Sequence, residues 1–162
     1  MKAWSDDPPI RPHGRSALLL EPTRAGTLVH CAVAVYARQT PPRDPRAATA
    51  VVLERFDTRG PALRARLLTA LLAYDAYLDD TSVLVGCEIL VGDQRLDVVW
   101  RDRDRVWADE VKSGAISRRD VAQARAQVLV ARERWPQFRG VRLLSLQHRR
   151  RSLFVSHRDP VT

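Results

Sequence analysis

The stretch RLDVVWRDRDRVWADEVKSG, residues 95–114, decides how this chain is read. Two apolar runs, RLDVVW and RVWADEV, flank the polar tetrapeptide RDRD. Alternation with a period of two on both sides of a short polar turn predicts a β-hairpin. On a strand through 105–112, side chains 106, 108, 110 and 112 share one face. Glu110 and Lys112 therefore project side by side, and Asp109 projects to the opposite face. Asp97 is the single charge inside its own strand and shares a face with Val99. If the two strands pair across RDRD, Asp97 lies near the Glu110 end of its partner only with an offset or twist.

Charges inside apolar strands need a reason. Of the 27 basic residues only Lys2 and Lys112 are lysines, so arginine serves almost everywhere a surface cation is wanted. The two side chains differ: the ammonium is a compact charge whose pKa responds to burial, whereas the guanidinium is planar and permanently protonated. This singles out Lys112 for its amine. Two carboxylates that meet in a partly buried site repel unless a cation lies between them, and a hard divalent metal with oxygen ligands relieves that repulsion. Such a metal lowers the pKa of a bound water and supplies a nucleophile suited to phosphorus. A lysine beside it orients the water or stabilises charge developing on phosphate. An ExK triplet alone is commonly just an ion pair on an exposed strand, so the surrounding pattern matters.

The 162 residues, 45% of them apolar, suit one globular domain, expected here over 17–162 behind a flexible N-terminal arm, 1–16, rich in proline and charge. The net charge of +8 favours a polyanionic partner, nucleic acid first among them. Cys31 and Cys87 form no CxxC pair, and two thiolates do not make an iron–sulfur site, which usually takes four. They read as small core residues of a reduced, cytoplasmic protein. No run approaches the roughly 18 apolar residues of a membrane span.

Along the chain, GTLVHCAVAVYAR from Gly26 reads as a buried helix closed by the prolines of QTPPRDPR, and AATAVVLERF fits helix or strand. PALRARLLTALLAYDAYLDD is helical, with a proline in its first turn and two leucine rows, Leu63, Leu67, Leu71 and Leu68, Leu72. SVLVGCEILV, RLDVVW and RVWADEV then form an antiparallel meander with turns at GDQ and RDRD. Ser117 and Asp120 form a capping-box pattern opening a helix through Trp135, with Val121, Ala124, Val128, Ala131 and Trp135 on its apolar face. VRLLSLQ and SLFVSH close the chain as strands around the basic turn HRRR. This order predicts an α/β fold with a mixed central sheet flanked by helices.

Asp97, a hairpin turn and then Glu110-Val111-Lys112 resemble the motif of the PD-(D/E)XK nucleases, with Leu96 where the motif's name has proline. Gly26-Thr27-Leu28-Val29-His30 resembles the upstream GxxxH element of the RecB-like branch. Gln123 and Gln127 resemble the glutamine on the helix after its lysine, and Lys-Ser-Gly at 112–114 is similar to its Lys-Thr-Gly. Where that branch often has a tyrosine four residues after the glutamine, this chain has Ala131. The resemblance covers about 26–131. It implies a restriction-endonuclease-like core with the motif on the second and third core strands. It also implies His30, Asp97 and Glu110 as ligands of Mg²⁺ or Mn²⁺, joined by the Val111 carbonyl. Lys112 would be the catalytic lysine, and Gln123 or Gln127 would position water or phosphate. Glu88 is a further acidic candidate, although a surface glutamate at a strand end is the commoner case.

Arg118 and Arg119 in the first turn of a helix oppose its dipole unless an anion binds there. Together with Arg149, Arg150 and Arg151 in the basic turn they are candidate phosphate contacts. The tryptophans, Trp4, Trp100, Trp107 and Trp135, are candidates for stacking on bases, though core packing is their commoner role. The sequence therefore predicts a metal-dependent nuclease acting on DNA. The alternatives are a non-catalytic nucleic-acid-binding subunit of a larger complex and, from charge alone, a scaffold for acidic proteins.

Overall fold

Proline opens each of the first three helices, where its missing N–H costs no hydrogen bond. In the computed structural model, which describes residues 22–79, 81–112, 114–146 and 151–157, these are α1 (Pro22–Ala37), α2 (Pro45–Arg55) and α3 (Pro61–Asp75). The expected N-terminal arm, together with Arg149 and Arg150, lies outside the described residues. Helix α1 begins before Gly26, and the ambiguous AATAVVLERF belongs to α2. There the Asp44 carboxylate accepts from the Arg46 N–H at 2.8 Å and caps the helix. In α3 the row Leu63, Leu67 and Leu71 is buried as expected. Leu72 of the second row faces outward, 53% exposed, because one helix face suffices to meet the core.

The strands are β1 (Val83–Val91), β2 (Gln94–Asp102), β3 (Arg105–Lys112), β4 (Phe138–Ser145) and β5 (Arg151–Ser156), with α4 (Arg118–Arg134) between β3 and β4. They lie in the order β1-β2-β3-β4-β5. The first three form the expected antiparallel meander, β4 runs parallel to β3 after the α4 crossover, and β5 returns antiparallel. The sheet is therefore mixed and the fold α/β. Both hairpin turns are two residues long, Gly92-Asp93 and Arg103-Asp104, so the strands reach further into GDQ and RDRD than the sequence implied. Gly92 takes φ 60, and a Cβ there would meet Val130 of α4 at 2.8 Å.

Helices α1–α3 cover one face of the sheet, packing with Val98, Trp100, Val111 and Leu144. Helix α4 covers the other with Ala124, Val128 and Ala131 against Val99, Ala108 and Leu143. Strands covered on both faces read as apolar runs, which is why Asp97, Asp109, Glu110 and Lys112 stand out in β2 and β3.

Asp109 projects away from Glu110, as the alternation requires, into the α1–α3 side. It is fully buried there and takes a bidentate pair from Arg142 of β4, at 2.8 and 2.9 Å. Tyr74 Oη donates to Asp109 at 2.9 Å, and Trp100 Nε1 donates to Tyr74 Oη at 3.0 Å. Arg142 also reaches the Tyr77 carbonyl at 2.9 Å. Burial holds the Asp109 carboxyl above its usual range even against the pull of Arg142. This network ties α3, β2, β3 and β4 together away from the candidate site.

Removing only the cation leaves a carboxylate in the core. Arg142→Met is expected to cost about 3–5 kcal/mol in chemical denaturation, and adding Asp109→Asn is expected to recover part of that loss. A double variant less stable than Arg142→Met alone would contradict this account.

Candidate active site in the fork between β2 and β3

The β2–β3 ladder runs from Asp102 opposite Arg105 to Val98 opposite Asp109. Beyond that pair the two strands hold to their outer neighbours. Leu96, Arg95 and Gln94 remain paired with β1, while Glu110, Val111 and Lys112 remain paired with β4. The sheet thus opens as a fork, and the register continues so that Asp97 and Glu110 lie level on its two prongs. No offset between the strands is needed.

A fork leaves backbone groups without ladder partners, and buried ones must be satisfied otherwise. Asp97 Oδ2 accepts from the Val111 N–H at 2.9 Å. Gln127 Nε2, from α4, donates to the Arg95 carbonyl at 2.8 Å and to Glu110 Oε2 at 3.0 Å, joining one prong to the other. Both neighbours are acceptors, which fixes the orientation of the amide. Its Oε1 is then buried without a hydrogen-bond partner.

Helix α1 and further residues of β3 and α4 complete the site. His30 of α1 sets Nδ1 3.2 Å from Asp97 Oδ2. Lys112 Nζ reaches Glu110 Oε1 at 3.0 Å, Asp120 Oδ1 at 3.2 Å and Gln123 Oε1 at 3.4 Å. Gln123 Nε2 in turn lies 3.4 Å from Glu110 Oε1. His30, Asp97, Glu110, Val111, Lys112, Gln123 and Gln127 are therefore gathered in one place from α1, β2, β3 and α4.

Asp97 and Glu110 are nearly buried, at 4% and 5% exposure. Burial pushes the Glu110 carboxyl up, and the Asp97 charge adds to that, against the pull of Lys112 and Gln127. Burial disfavours the cation of His30, yet the Asp97 hydrogen bond and the charges of Asp97, Glu110 and Glu88 outweigh it and raise its pKa. Burial likewise opposes the Lys112 ammonium, but Glu110 and Asp120 hold its pKa above the usual value. Lys112 is consequently a fixed positive charge rather than a neutral amine.

Glu88 is exposed, as a surface glutamate would be, but it is not at a strand end. It lies within β1, opposite Asp97, between the pairs Cys87–Val98 and Ile89–Leu96. Its φ of 55 is rare for a side chain other than glycine, asparagine or aspartate. It pairs with Arg95 at 3.0 Å, and burial and the Asp97 charge raise its pKa. Strained backbone of this kind concentrates at functional sites.

Among the described residues no three His, Cys, Asp or Glu side chains converge closely enough to hold a metal ion. Mg²⁺ asks for less, since one or two carboxylates with water and substrate oxygens suffice. Asp97 and Glu110 meet that demand. The N–H and C=O of a strand residue point toward the same neighbour, so the Val111 carbonyl faces the Asp97 side. The buried, unpartnered Gln127 Oε1 also calls for a donor such as a bound water. The donor set therefore fits a hard divalent cation, with His30 Nδ1 placed against Asp97.

At the start of α4, next to this site, a cavity of about 550 Å³ is lined by Ile116, Ser117, Arg118, Ser145, Arg151 and Leu153, among others. It brings together two of the candidate phosphate contacts, Arg118 and Arg151. Arg119 is exposed on the same helical turn. Trp100 is fully buried, Trp135 stacks on Phe138 with ring centres 6.1 Å apart, and Trp107 is half-buried against the core, so these three serve packing. Trp4 lies outside the described residues.

The ion pair between Lys112 and Asp120 was not legible in the sequence, where Asp120 reads only as a capping residue. The chain matches no family model, no curated protein and no solved structure. The geometry of the site therefore carries the functional reading.

Gln127→Leu keeps the volume and removes the bridge across the fork. It is expected to cost about 1–3 kcal/mol in urea denaturation, the usual penalty for stranding buried acceptors. Unchanged stability would show that the bridge contributes nothing to holding the prongs.

Proposed function

We propose that the protein is a metal-dependent nuclease of the PD-(D/E)XK kind that hydrolyses phosphodiester bonds in DNA. The observation that carries this reading is the fork, which holds Asp97 and Glu110 level and nearly buried with the ammonium of Lys112 beside them. The resemblance implied those acids and that lysine on the second and third strands of a mixed sheet, and Asp97 lies on β2 with Glu110 and Lys112 on β3.

Asp97, Glu110 and the Val111 carbonyl would hold Mg²⁺ or Mn²⁺, which when bound supplies an activated water and a Lewis acid for the phosphate. The chain's own residues do the rest. His30 and the Val111 N–H orient Asp97, Gln127 orients Glu110, and Lys112 supplies a positive charge where negative charge develops on phosphate. Arg118 and Arg151 line the cavity beside the site, Arg119 is exposed on the same helical turn as Arg118, and the net charge of +8 favours a polyanion. The free cysteines Cys31 and Cys87 agree with a reduced, cytoplasmic setting. No described helix is long and apolar enough to cross a membrane.

A second reading has its own support. All three Lys112 N–H donors have an acceptor within reach, as a non-catalytic nucleic-acid-binding subunit of a larger assembly would permit.

Cleavage of linear and circular DNA, single- and double-stranded, in Mg²⁺ or Mn²⁺ against EDTA separates the two readings. The nuclease reading expects metal-dependent cutting that Asp97→Ala and Lys112→Ala each reduce by about a hundredfold or more. A folded wild type that binds DNA without cutting, with both variants binding equally well, would favour the non-catalytic subunit.

A further inference from the structure

The capping box of α4 does more than close a helix. Asp120 Oδ2 accepts from the Ser117 N–H at 2.8 Å and from Ser117 Oγ at 2.6 Å, while Ser117 Oγ caps the Asp120 N–H at 3.3 Å. These contacts engage one carboxylate oxygen. The other, Oδ1, faces Lys112 Nζ at 3.2 Å. The carboxylate is thus shared between the start of a helix and the lysine of the candidate site.

The three acceptors around Lys112 are not equivalent. Glu110 lies on the same strand and is one of the two carboxylates assigned to a cation. Gln123 is neutral, and at 3.4 Å it is the most distant. Asp120 alone is charged, outside the donor set for a metal, and itself anchored, through the cap, to the backbone of α4. Side-chain exposures of 16% for Lys112 and 20% for Asp120 place their contact in a partly dehydrated position, where an ion pair is less screened than at the surface. Helix α4 is in turn fixed to the sheet by Ala124, Val128 and Ala131 and by the Gln127 bridge. Lys112 therefore has one attachment that stays in place when Glu110 is engaged elsewhere.

We propose that Asp120 is a positioning residue for Lys112, holding the ammonium through Oδ1 while Oδ2 locks the carboxylate to the helix cap. The catalytic consequence rests on the nuclease reading above. The positional one does not. Without the Asp120 charge, Lys112 is held by Glu110 and a distant amide, and its ammonium is free to follow Glu110.

Three variants separate positioning from capping. Asp120→Asn keeps an oxygen for the Ser117 donors and removes the charge opposite Lys112. Ser117→Ala breaks the reciprocal cap and keeps the carboxylate. Asp120→Ala removes both. Because Lys2 and Lys112 are the chain's two lysines, ¹⁵N-lysine NMR gives two side-chain ammonium signals, assigned with Lys2→Arg. In the wild type the Lys112 ammonium is expected to exchange its protons with water measurably more slowly than Lys2. Asp120→Asn and Asp120→Ala are expected to lose that protection, and Ser117→Ala to retain it.

In cleavage assays on the same proteins, Asp120→Asn is expected to lower kcat by about tenfold or more with KM within about twofold, the pattern of an interaction used in the transition state. Ser117→Ala is expected to lower thermal stability with a smaller effect on kcat. Lys112 protection unchanged in Asp120→Asn would overturn the proposal whether or not the protein cuts DNA. So would wild-type kcat in Asp120→Asn with Ser117→Ala impaired, since the residue would then act only through the helix. A wild type that never cuts would refute the nuclease reading and leave the NMR comparison to decide the position of Lys112.

Discussion

The structure depends on where the pairing of β2 with β3 stops. While the strands pair, alternation assigns every side chain to the α1–α3 side or the α4 side, and the assignments bury apolar groups. Past Val98 and Asp109 the strands part, each kept by its outer neighbour. The backbone groups released there need partners, and the side chains that supply them are those of the candidate site. Asp97 replaces a ladder acceptor, and Gln127 spans the gap. The site is in this sense a defect in the sheet, stabilised by polar side chains.

The two acidic neighbours on β3 show how one register serves two ends. Asp109 and Glu110 are adjacent in sequence and both buried, yet they face opposite layers. Asp109 is closed off: a bidentate arginine and a tyrosine hydroxyl satisfy it, and it belongs to the scaffold. Glu110 is held by groups that are exchangeable in principle, a lysine and two amides, beside a second carboxylate. A buried acid with a dedicated guanidinium stabilises a packing arrangement. A buried acid that repels another acid raises its own pKa and invites a cation.

Much of this was legible from residues 95–114. The period of two separated Asp109 from Glu110 and Lys112, and the meander, the α4 cap and the apolar face of α4 followed from local pattern. The fork was not legible, because the end of a ladder depends on competition between neighbouring strands that are remote in sequence. The AATAVVL run satisfied both periods, and the decisive signals, Asp44 as cap and Pro45 at the first turn, lay in the loop before it. Arg142 lies 33 residues from Asp109 and reads as one more arginine in an arginine-rich chain. The second role of Asp120 was not legible for another reason: the capping box accounts for the residue by itself, and Lys112 meets its other oxygen only in the folded chain.

On the proposed reading, Asp97 and Glu110 are held level in the fork to receive a divalent cation. Titration of the DNA-free protein with Mn²⁺, followed by electron paramagnetic resonance and calorimetry, decides whether they do. Saturable binding to the wild type is expected, weakened at least about tenfold by Asp97→Asn, with the fold unchanged by circular dichroism. Equal Mn²⁺ affinity in the two proteins, or a folded wild type that binds none, would contradict that reading.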